Sequence, residues 1–347
     1  MSMKKYSEKA PDQGRKKLPS VNRGASVLER DDFDAGPTNL DCIEPGLWLG
    51  NLTAATDVET LSRLHINHIL TVDSCPLPRK ITMLPGVKTK FIQVTDTPRE
   101  DLLSHFAEAL DFIKAGQETS VVLVHCYFGV SRSATIVIAY IMKKHNLSYE
   151  EAFQRVKERR RFVGPNPGFQ SQLRLFELMG FQIDKHNVQF RMFRLQIAAD
   201  QVKKVKILPQ SCVDVMKSDP NLITVRPEPL VYRCRKCRRI LASASNLLPH
   251  VKKEKPSWVD DKWTKEDHST LALCSETYFV EPIVWMTCVT NNLQGKLHCP
   301  KCNSKLGSFS WIMGCQCPCG SKISPAFYLV PSKVEWSNMV QNVQVTL

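Results

Sequence analysis

Short apolar runs alternate with longer amphipathic stretches along residues 39–185. The apolar runs are typical of strands, and the last one is uninterrupted, as in a central strand covered on both faces. They are 47–50, 69–72, 91–94 and 120–124. The amphipathic stretches carry apolar residues every three or four positions and predict helices. They are 54–64, 102–113, 133–143, 149–159 and 169–179. Strands that alternate with helices predict an α/β layer fold.

The chain as a whole divides into five predicted segments. They are 1–37, 38–185, 186–228, 229–335 and 336–347. The first is charged and poor in aromatic residues, which predicts a disordered basic tail. The third predicts a linker, because prolines follow a candidate amphipathic helix over 188–207. The fourth shows short β-like runs between cysteine pairs and predicts a second, smaller, β-rich domain, and the fifth is a tail.

Two basic clusters in the N-terminal tail, Lys4–Lys5 and Arg15–Lys17, have the spacing of a bipartite nuclear localisation signal. A solvated tail would show the same pattern. The polar start of the chain does not resemble a signal peptide. The most apolar window, 121–142, contains a histidine, a cysteine and an arginine, which argues against a membrane span. We therefore expect a soluble protein inside the cell, in the nucleus and the cytoplasm.

The segment 124–133, with the sequence VHCYFGVSRS, follows the strongest predicted strand and begins a helix. A loop in that position presents backbone N–H groups to an anion, and the helix dipole adds positive potential. Gly129 allows the loop to curl, and the guanidinium of Arg132 can bind two phosphate oxygens at once. The same field favours the thiolate of Cys126. This arrangement predicts in-line attack on phosphorus through a phosphocysteine intermediate.

The same segment resembles the signature loop of the dual-specificity protein phosphatases, and the resemblance extends over residues 39–180. It includes IEPGLWLGN at 43–51 and NPGF at 166–169. The family implies an α/β cysteine-phosphatase fold with a shallow pocket that admits phosphoserine, phosphothreonine and phosphotyrosine. Its phosphate-binding residues correspond here to Tyr127, Phe128, Gly129, Val130, Ser131 and Arg132.

The family also implies roles for residues outside the loop's centre. Its general acid lies some thirty residues before the cysteine, which here indicates Asp96, with Asp101 as the second candidate. Asp96 could instead cap the turn before the proline that follows. Ser133 matches the hydroxyl that assists departure of the thiolate, and His125 the residue that orients the loop. Asn166 matches an outer anchor of the loop, although it could also be a turn residue.

Two other phosphatase classes share the spacing of Cys126 and Arg132. The low-molecular-weight tyrosine phosphatases carry the motif near their N-terminus, which does not fit this chain. RNA 5′-triphosphatases of this fold remain an alternative, because a net charge of +13 favours polyanionic partners.

Nine of the thirteen cysteines lie between Cys234 and Cys319, and several form Cys-x2-Cys pairs. In an intracellular chain this spacing indicates metal binding before disulfides, and paired thiolates suit tetrahedral Zn²⁺. Eight candidate ligands suffice for two structural zinc ions, and Cys288 and Cys315 are left over. The candidates are Cys234, Cys237, His250, Cys274, Cys299, Cys302, Cys317 and Cys319. The spacing alone leaves open which pair joins which.

The combination of both halves resembles the zinc-binding branch of the dual-specificity phosphatases, a group linked to assembly of the large ribosomal subunit. One departure is the extra Cys315. The resemblance implies a phosphoprotein substrate and a pre-ribosomal particle or rRNA as partner of the zinc domain. A second hypothesis is a mainly non-catalytic assembly factor, and we expect a monomer. Basic residues around the first cysteine pair can contact RNA phosphates or simply form a solvated face. They are Arg233, Arg235, Lys236, Arg238 and Arg239.

Overall fold

The computed structural model describes residues 36–222, 228–250, 274 and 276–338. The basic clusters of the N-terminal tail and most of the predicted C-terminal tail lie outside these described residues. Among the described helices, none combines the length and the apolar character that a bilayer crossing requires.

The N-terminal half contains a five-stranded sheet in the order β1-β2-β5-β3-β4. Its strands are β1 (Leu40–Glu44), β2 (Leu47–Gly50), β3 (Ile66–Asp73), β4 (Lys88–Gln93) and β5 (Val121–His125). The β1–β2 pair is antiparallel and the other pairs are parallel. The uninterrupted apolar strand, β5, lies at the centre, and the predicted α/β class is confirmed.

Eight α-helices are present in the described part of the chain. They are α1 (Leu52–Thr56), α2 (Val58–Arg63), α3 (Arg79–Thr82), α4 (Phe106–Thr119), α5 (Arg132–His145), α6 (Tyr149–Arg159), α7 (Pro167–Leu178) and α8 (Val188–Val205). The single helix predicted over 54–64 is wrong, since Asp57 separates α1 from α2. Asp57 adopts an extended conformation and its carboxylate accepts the amide of Thr60 at 3.1 Å, as an N-cap does. The pattern also missed β1 and the short α3.

The two faces of the sheet carry separate apolar layers. Along β5, Val122 and Val124 pack into one layer, and Leu123 between them packs into the other. This alternation follows from the two-residue period of a strand. Helix α5 lies in the larger layer with all of residues 132–142 buried, so the loop that joins β5 to α5 starts and ends in rigid elements.

The C-terminal half is β-rich, as predicted. Its strands are β6 (Leu230–Cys234), β7 (Ile240–Ser243), β8 (Tyr278–Phe279), β9 (Gln294–His298), β10 (Lys305–Ser310), β11 (Cys315–Gln316), β12 (Lys322–Ile323), β13 (Ala326–Leu329) and β14 (Val334–Asn338). They form sheets in the orders β8-β13-β10-β9, β14-β6-β7 and β11-β12. Helix α8 lies within the segment predicted as a linker, and side chains such as Leu195 and Val202 pack into the core of this half.

Candidate active site and metal centres

The loop between β5 and α5 places hydrogen-bond donors around the sulfur of Cys126. The backbone N–H of Gly129 donates to Cys126 Sγ at 3.2 Å, and the Ser133 hydroxyl donates to the same atom at 3.1 Å. Cys126 itself is 1% exposed, at the floor of the loop. Donors directed at a sulfur stabilise its anionic form, so the surroundings of Cys126 suit a thiolate nucleophile.

Arg132, at the start of α5, is held in place by an acid that sequence reasoning missed. Its Nη1 donates to Asp73 Oδ1 at 2.5 Å, and both side chains are buried. Arg132 Nε is buried without a hydrogen-bond partner among the described residues and lies 4.0 Å from Asp96 Oδ2. A buried guanidinium N–H without a partner is costly, and a phosphate oxygen would satisfy it. An acid at the carboxyl end of the buried β3 was the available signal for Asp73.

Asp96 lies at the mouth of the loop, with a side chain 37% exposed. Its Oδ1 accepts the Ser131 hydroxyl at 2.7 Å and the Asn166 side-chain amide at 2.8 Å. Its Oδ2 makes no hydrogen bond among the described residues and faces Arg132. One oxygen is therefore fixed, and the other is left to exchange a proton with a bound phosphoester.

Asp101, the second candidate for the general acid, is occupied elsewhere. Its carboxylate accepts the backbone N–H and the hydroxyl of Ser104 at 3.0 and 2.7 Å and forms an ion pair with Arg194 of α8. These contacts make Asp101 a cap and an anchor. The geometry therefore favours Asp96 as the group beside the phosphate loop.

His125 and Asn166 are placed as anchors of the phosphate loop. The buried His125 ring shares a hydrogen bond with Thr71 Oγ1 on β3 at 2.8 Å, and its other nitrogen lies 3.4 Å from the carbonyl oxygen of Cys126. Asn166 caps α7, where its side-chain oxygen accepts the amide of Phe169 at 3.0 Å. Because its side-chain nitrogen binds Asp96, Asn166 joins α7 to the candidate acid.

The remaining loop residues curl against β2. Gly129 has a φ of +70°, and a Cβ there would lie 2.5 Å from the carbonyl oxygen of Gly50. The position therefore requires glycine on both conformational and steric grounds. The carbonyl of Tyr127 accepts the amide of Leu52 at 3.1 Å, and Phe128 remains 59% exposed at the rim.

A buried arginine that the sequence did not reveal binds the outer side of the loop. Arg160 is 1% exposed, and it donates from Nε to the carbonyl of Gly129 at 2.9 Å and from Nη2 to that of Phe128 at 3.3 Å. Its Nη1 donates to Asn39 Oδ1 at 2.5 Å and Asp41 Oδ2 at 2.6 Å. Arg160 is the middle member of three consecutive arginines. Because a run of charged residues is typical of an exposed surface, the sequence did not indicate that Arg160 is buried.

The first of two metal centres brings together the two Cys-x2-Cys pairs. It consists of Cys234, Cys237, Cys299 and Cys302, whose sulfur atoms all lie within 4.8 Å of one another. The Cys234–Cys302 and Cys237–Cys299 sulfur distances are 3.7 and 3.5 Å. A tetrahedral ion with bonds of about 2.3 Å needs ligand separations of about 3.8 Å, so this donor set fits such an ion.

The second centre joins His250 and Cys274 to Cys317 and Cys319, again within 4.8 Å. The sulfurs of Cys274 and Cys317 are 3.7 Å apart, and His250 Nε2 lies 3.4 Å from Cys319 Sγ. All eight predicted ligands are therefore used, and neither tetrad contains Cys288 or Cys315. The arrangement is consistent with two structural metal ions.

The thiols within each tetrad differ in their ease of ionisation. The Ser304 hydroxyl lowers the pKa of Cys302 to about 6, whereas burial raises the pKa of Cys299 to about 12. In the second tetrad, burial opposes ionisation of Cys319, but hydrogen bonds from Ser321 prevail and lower its pKa to about 6. Burial raises the pKa of Cys317 to about 12. Within each tetrad one thiol therefore ionises more easily than another, and binding of a cation favours the ionised form of both.

The chain is similar to known proteins over its phosphatase half and over most of its length. Residues 47–179 match the family model described as dual specificity phosphatase, catalytic domain. The Dual specificity protein phosphatase MPK-4 of Drosophila melanogaster is 47% identical over 93% of this chain and 94% of its own length. Dual specificity protein phosphatase 12 of Mus musculus is 36% identical over 86% and 88%. The crystal structure of human DUSP28 aligns with 35% identity and a TM-score of 0.39, over 42% of this chain and 98% of that one.

A cysteine phosphatase loop followed by two cysteine-rich tetrads thus defines the class of protein. The chain belongs to the dual-specificity protein phosphatases, in the group that contains MPK-4 and dual specificity protein phosphatase 12.

Proposed function

We propose that this phosphatase hydrolyses phosphotyrosine, phosphoserine and phosphothreonine in protein substrates through a phosphocysteine intermediate. In the first step the Cys126 thiolate forms a bond to phosphorus and the bond from phosphorus to the substrate oxygen breaks. Asp96 Oδ2 donates the proton that the departing oxygen needs. Arg132 and the loop amides hold the phosphoryl oxygens, whose charge is spread over the transition state.

In the second step a water molecule attacks the phosphocysteine. Asp96, now a carboxylate, accepts the proton of that water, and the bond between sulfur and phosphorus breaks. The thiolate that departs is stabilised by the Ser133 hydroxyl, 3.1 Å from Cys126 Sγ. Inorganic phosphate leaves, and the enzyme returns to its starting state.

The observation that carries this proposal is the convergence on one loop of a sulfur with two donors, an unpaired guanidinium N–H and a carboxylate with one free oxygen. A merely structural cysteine would be surrounded by apolar groups. Phe128 is exposed at the rim of the loop, where it can contact the substrate chain.

The test is turnover of an aryl phosphate and of phosphotyrosine and phosphoserine peptides by the purified chain. Cys126→Ser should abolish turnover, and rapid acid quenching of the wild type should trap phosphate on Cys126. Asp96→Asn should slow hydrolysis by about 10²–10⁴-fold, with the largest effect on poor leaving groups. RNA with a 5′-triphosphate serves as a competing substrate. Faster release of phosphate from this RNA than from peptides would support the triphosphatase alternative instead.

We propose further that both tetrads bind Zn²⁺ as a structural ion. Sulfur and imidazole ligands in closed sets of four are the donors that structural zinc prefers. Metal analysis should find two equivalents of zinc per chain in the wild type and one in Cys299→Ser. Another ion in the native protein, or an unchanged zinc content in the variant, would contradict this assignment.

A second candidate function is assembly of the large ribosomal subunit, through contact of the C-terminal half with rRNA in a pre-ribosomal particle. Three members of the basic cluster interact with other side chains of the C-terminal half. Arg239 forms an ion pair with Asp219 and Arg238 one with Glu335. Arg233 donates a hydrogen bond to Ser337. Arg235 and Lys236, beside the first tetrad, are exposed and make no ion pair within the described residues. These two side chains support a contact with phosphate groups.

Complementation separates the two functions. In cells that lack the protein, Cys126→Ser and the double variant Arg235→Glu/Lys236→Glu are compared with the wild type for subunit maturation and for presence in nucleus and cytoplasm. If assembly depends on the C-terminal half, the first variant should restore maturation and the second should not. The opposite result would assign the cellular role to catalysis. Sedimentation of the purified chain checks the expected monomer.

A further inference from the structure

The acid loop, residues 95–101, is held by α7 on the side of the phosphatase half. The side-chain oxygen of Gln172 accepts the backbone N–H groups of Leu102 and Leu103 at 2.9 and 2.7 Å, and its nitrogen donates to the carbonyl of Glu100 at 2.8 Å. A Cβ on Gly168 would lie 1.8 Å from the carbonyl oxygen of Pro98, so loop and helix are in direct backbone contact.

The other side of the acid loop is held by α8. Arg194, with a side chain 14% exposed, forms an ion pair with Asp101, which is 13% exposed. The same guanidinium donates from Nε and Nη2 to the two carboxylate oxygens of Asp214 at 3.1 and 2.8 Å. Six residues further along α8, Asp200 pairs with Arg99 of the acid loop at 3.3 Å.

These contacts connect the acid loop to the C-terminal half. Asp214 belongs to a 3-10 helix, Gln210–Val215, whose buried members Cys212 and Val215 are part of the C-terminal core. Leu195, next to Arg194 on α8, packs into the same core. A planar guanidinium between two carboxylates has one preferred geometry, so Asp101 is placed relative to the C-terminal core.

The position of Asp101 matters because Asp96 is only five residues away along the same loop. The bonds from Ser131 and Asn166 fix one oxygen of Asp96, but they do not hold the chain that carries it. Proton transfer to a leaving group depends steeply on the position of the acid. Attack by Cys126 does not involve this loop.

We propose that Arg194 is a positioning residue for the general acid, through which the C-terminal half controls the proton-transfer step of the phosphatase. The inference rests on the proposed role of Asp96. It predicts a selective defect: loss of Arg194 slows substrates whose leaving oxygen needs a proton, and it spares substrates whose leaving group departs as an anion.

The experiment compares two aryl phosphates with the full-length, metal-loaded protein. Phenyl phosphate releases a phenol with a pKa of about 10, like that of tyrosine, and requires protonation. A fluorinated coumarin phosphate releases an acidic phenol and does not. Arg194→Ala should lower kcat for phenyl phosphate by about tenfold, well short of the ~10²–10⁴-fold effect of losing an acid, and leave the coumarin phosphate nearly unchanged.

A matched control lies on the same helix. Arg191, similarly buried at 10% exposed, pairs with Glu281 and donates to the carbonyl of Ser245, and none of its polar contacts among the described residues reaches the acid loop. Arg191→Ala should therefore weaken the attachment of α8 without changing the ratio of the two substrates. Asp101→Asn should reproduce the effect of Arg194→Ala, and the double variant should show no further loss.

The outcomes separate the inference from the proposed function. If Asp96→Asn changes the substrate ratio and Arg194→Ala does not, the inference is overturned and the general acid stands. If Asp96→Asn leaves the ratio unchanged, the assignment of the acid itself fails. An equal loss on both substrates in Arg194→Ala also overturns the inference, because it indicates general damage. Should Arg194→Ala not fold, Asp214→Asn is used instead, since the Asp214 side chain is 55% exposed and tolerates the change. A selective loss on phenyl phosphate then supports the inference, and an unchanged substrate ratio overturns it.

Discussion

Arg160→Met tests whether a buried cation holds the phosphate loop from behind. Arg160 donates to the carbonyls of Gly129 and Phe128 and to the side chains of Asn39 and Asp41. Methionine is also a long side chain and fills much of the same space, so the change removes the hydrogen bonds and leaves only a small cavity.

The expected magnitude follows from the exposure of the partners. Asp41 is 38% exposed and regains water when the arginine is lost, so its ion pair contributes little. The two loop carbonyls cannot be rehydrated as readily, and each lost bond to a charged donor costs about 1.5–3 kcal/mol. Burial lowers the pKa of Arg160 against the opposing effect of Asp41, so keeping this side chain charged in the interior costs free energy. Replacing it with an uncharged side chain removes that cost and offsets part of the loss of hydrogen bonds. We expect a net loss of about 2–4 kcal/mol of unfolding free energy.

The assay combines urea denaturation with steady-state hydrolysis of an aryl phosphate. Loosening of Gly129 moves the amide that donates to the sulfur of Cys126, so kcat/KM should fall by about tenfold or more. Arg160→Lys keeps the positive charge but loses the planar guanidinium with its several donors. Its unfolding free energy and its kcat/KM should lie between those of the wild type and Arg160→Met. Arg161→Met, at the exposed neighbouring position, is the control and should change neither quantity. A loss below about 1 kcal/mol in Arg160→Met with unchanged kcat/KM would refute the reasoning.

Three further predictions concern other parts of the molecule. Gly168→Ala places a Cβ 1.8 Å from the Pro98 carbonyl oxygen, so kcat for phenyl phosphate should fall at least about tenfold, and an unchanged kcat would exclude this packing. Burial raises the pKa of Glu44, but hydrogen bonds from Lys144 and His145 prevail and hold it below its ordinary 4.5. The ionised Glu44 therefore stabilises the fold fully above pH 4.5, its ordinary pKa, and this stabilisation is lost as the pH falls through the lower pKa that Glu44 has in the folded protein. Glu44→Gln should cost about 1–3 kcal/mol at neutral pH and progressively less below pH ~4, whereas a difference independent of pH in urea titrations would contradict this. Removal of the metal ions with a strong chelator should abolish the near-ultraviolet circular dichroism of the C-terminal half while turnover of the fluorinated coumarin phosphate persists, and a spectrum unaffected by complete metal loss would show that the ions are not structural.

A functional site could be predicted from the sequence where one short segment contains all of its functional residues. The phosphate loop is such a case, because Cys126, Gly129 and Arg132 lie within seven residues and the flanking strand and helix have clear periodicity. The eight candidate metal ligands were also identifiable, since most of them are cysteines spaced as in metal sites. Asp96 was indicated only by resemblance to a family, as an aspartate before a proline-containing turn is common in any loop.

The supporting residues were not predictable, because their partners are distant along the chain. Arg160 binds a loop 31 residues away and a strand 119 residues away, and Arg194 reaches Asp101 across 93 residues. Arg160 stands among other charged residues and Arg194 stands between Phe193 and Leu195, and in neither case does the local pattern identify the distant partner. The pairing of the cysteines likewise depended on which turns the sheets bring together.

The amino-acid order by itself determined most elements of the phosphatase half and the reacting groups. Periodicity decides strand or helix, and the ionisation and ligand chemistry of cysteine are properties of the residue and its immediate neighbours. Only the tertiary structure decided which carboxylate lies beside Arg132 at the phosphate loop, which arginine is buried behind the loop, and that α8 joins the acid loop to the C-terminal core. The physical reason is that charged side chains acquire their roles from desolvation and from partners brought close by chain packing, and neither is a property of a short stretch of sequence.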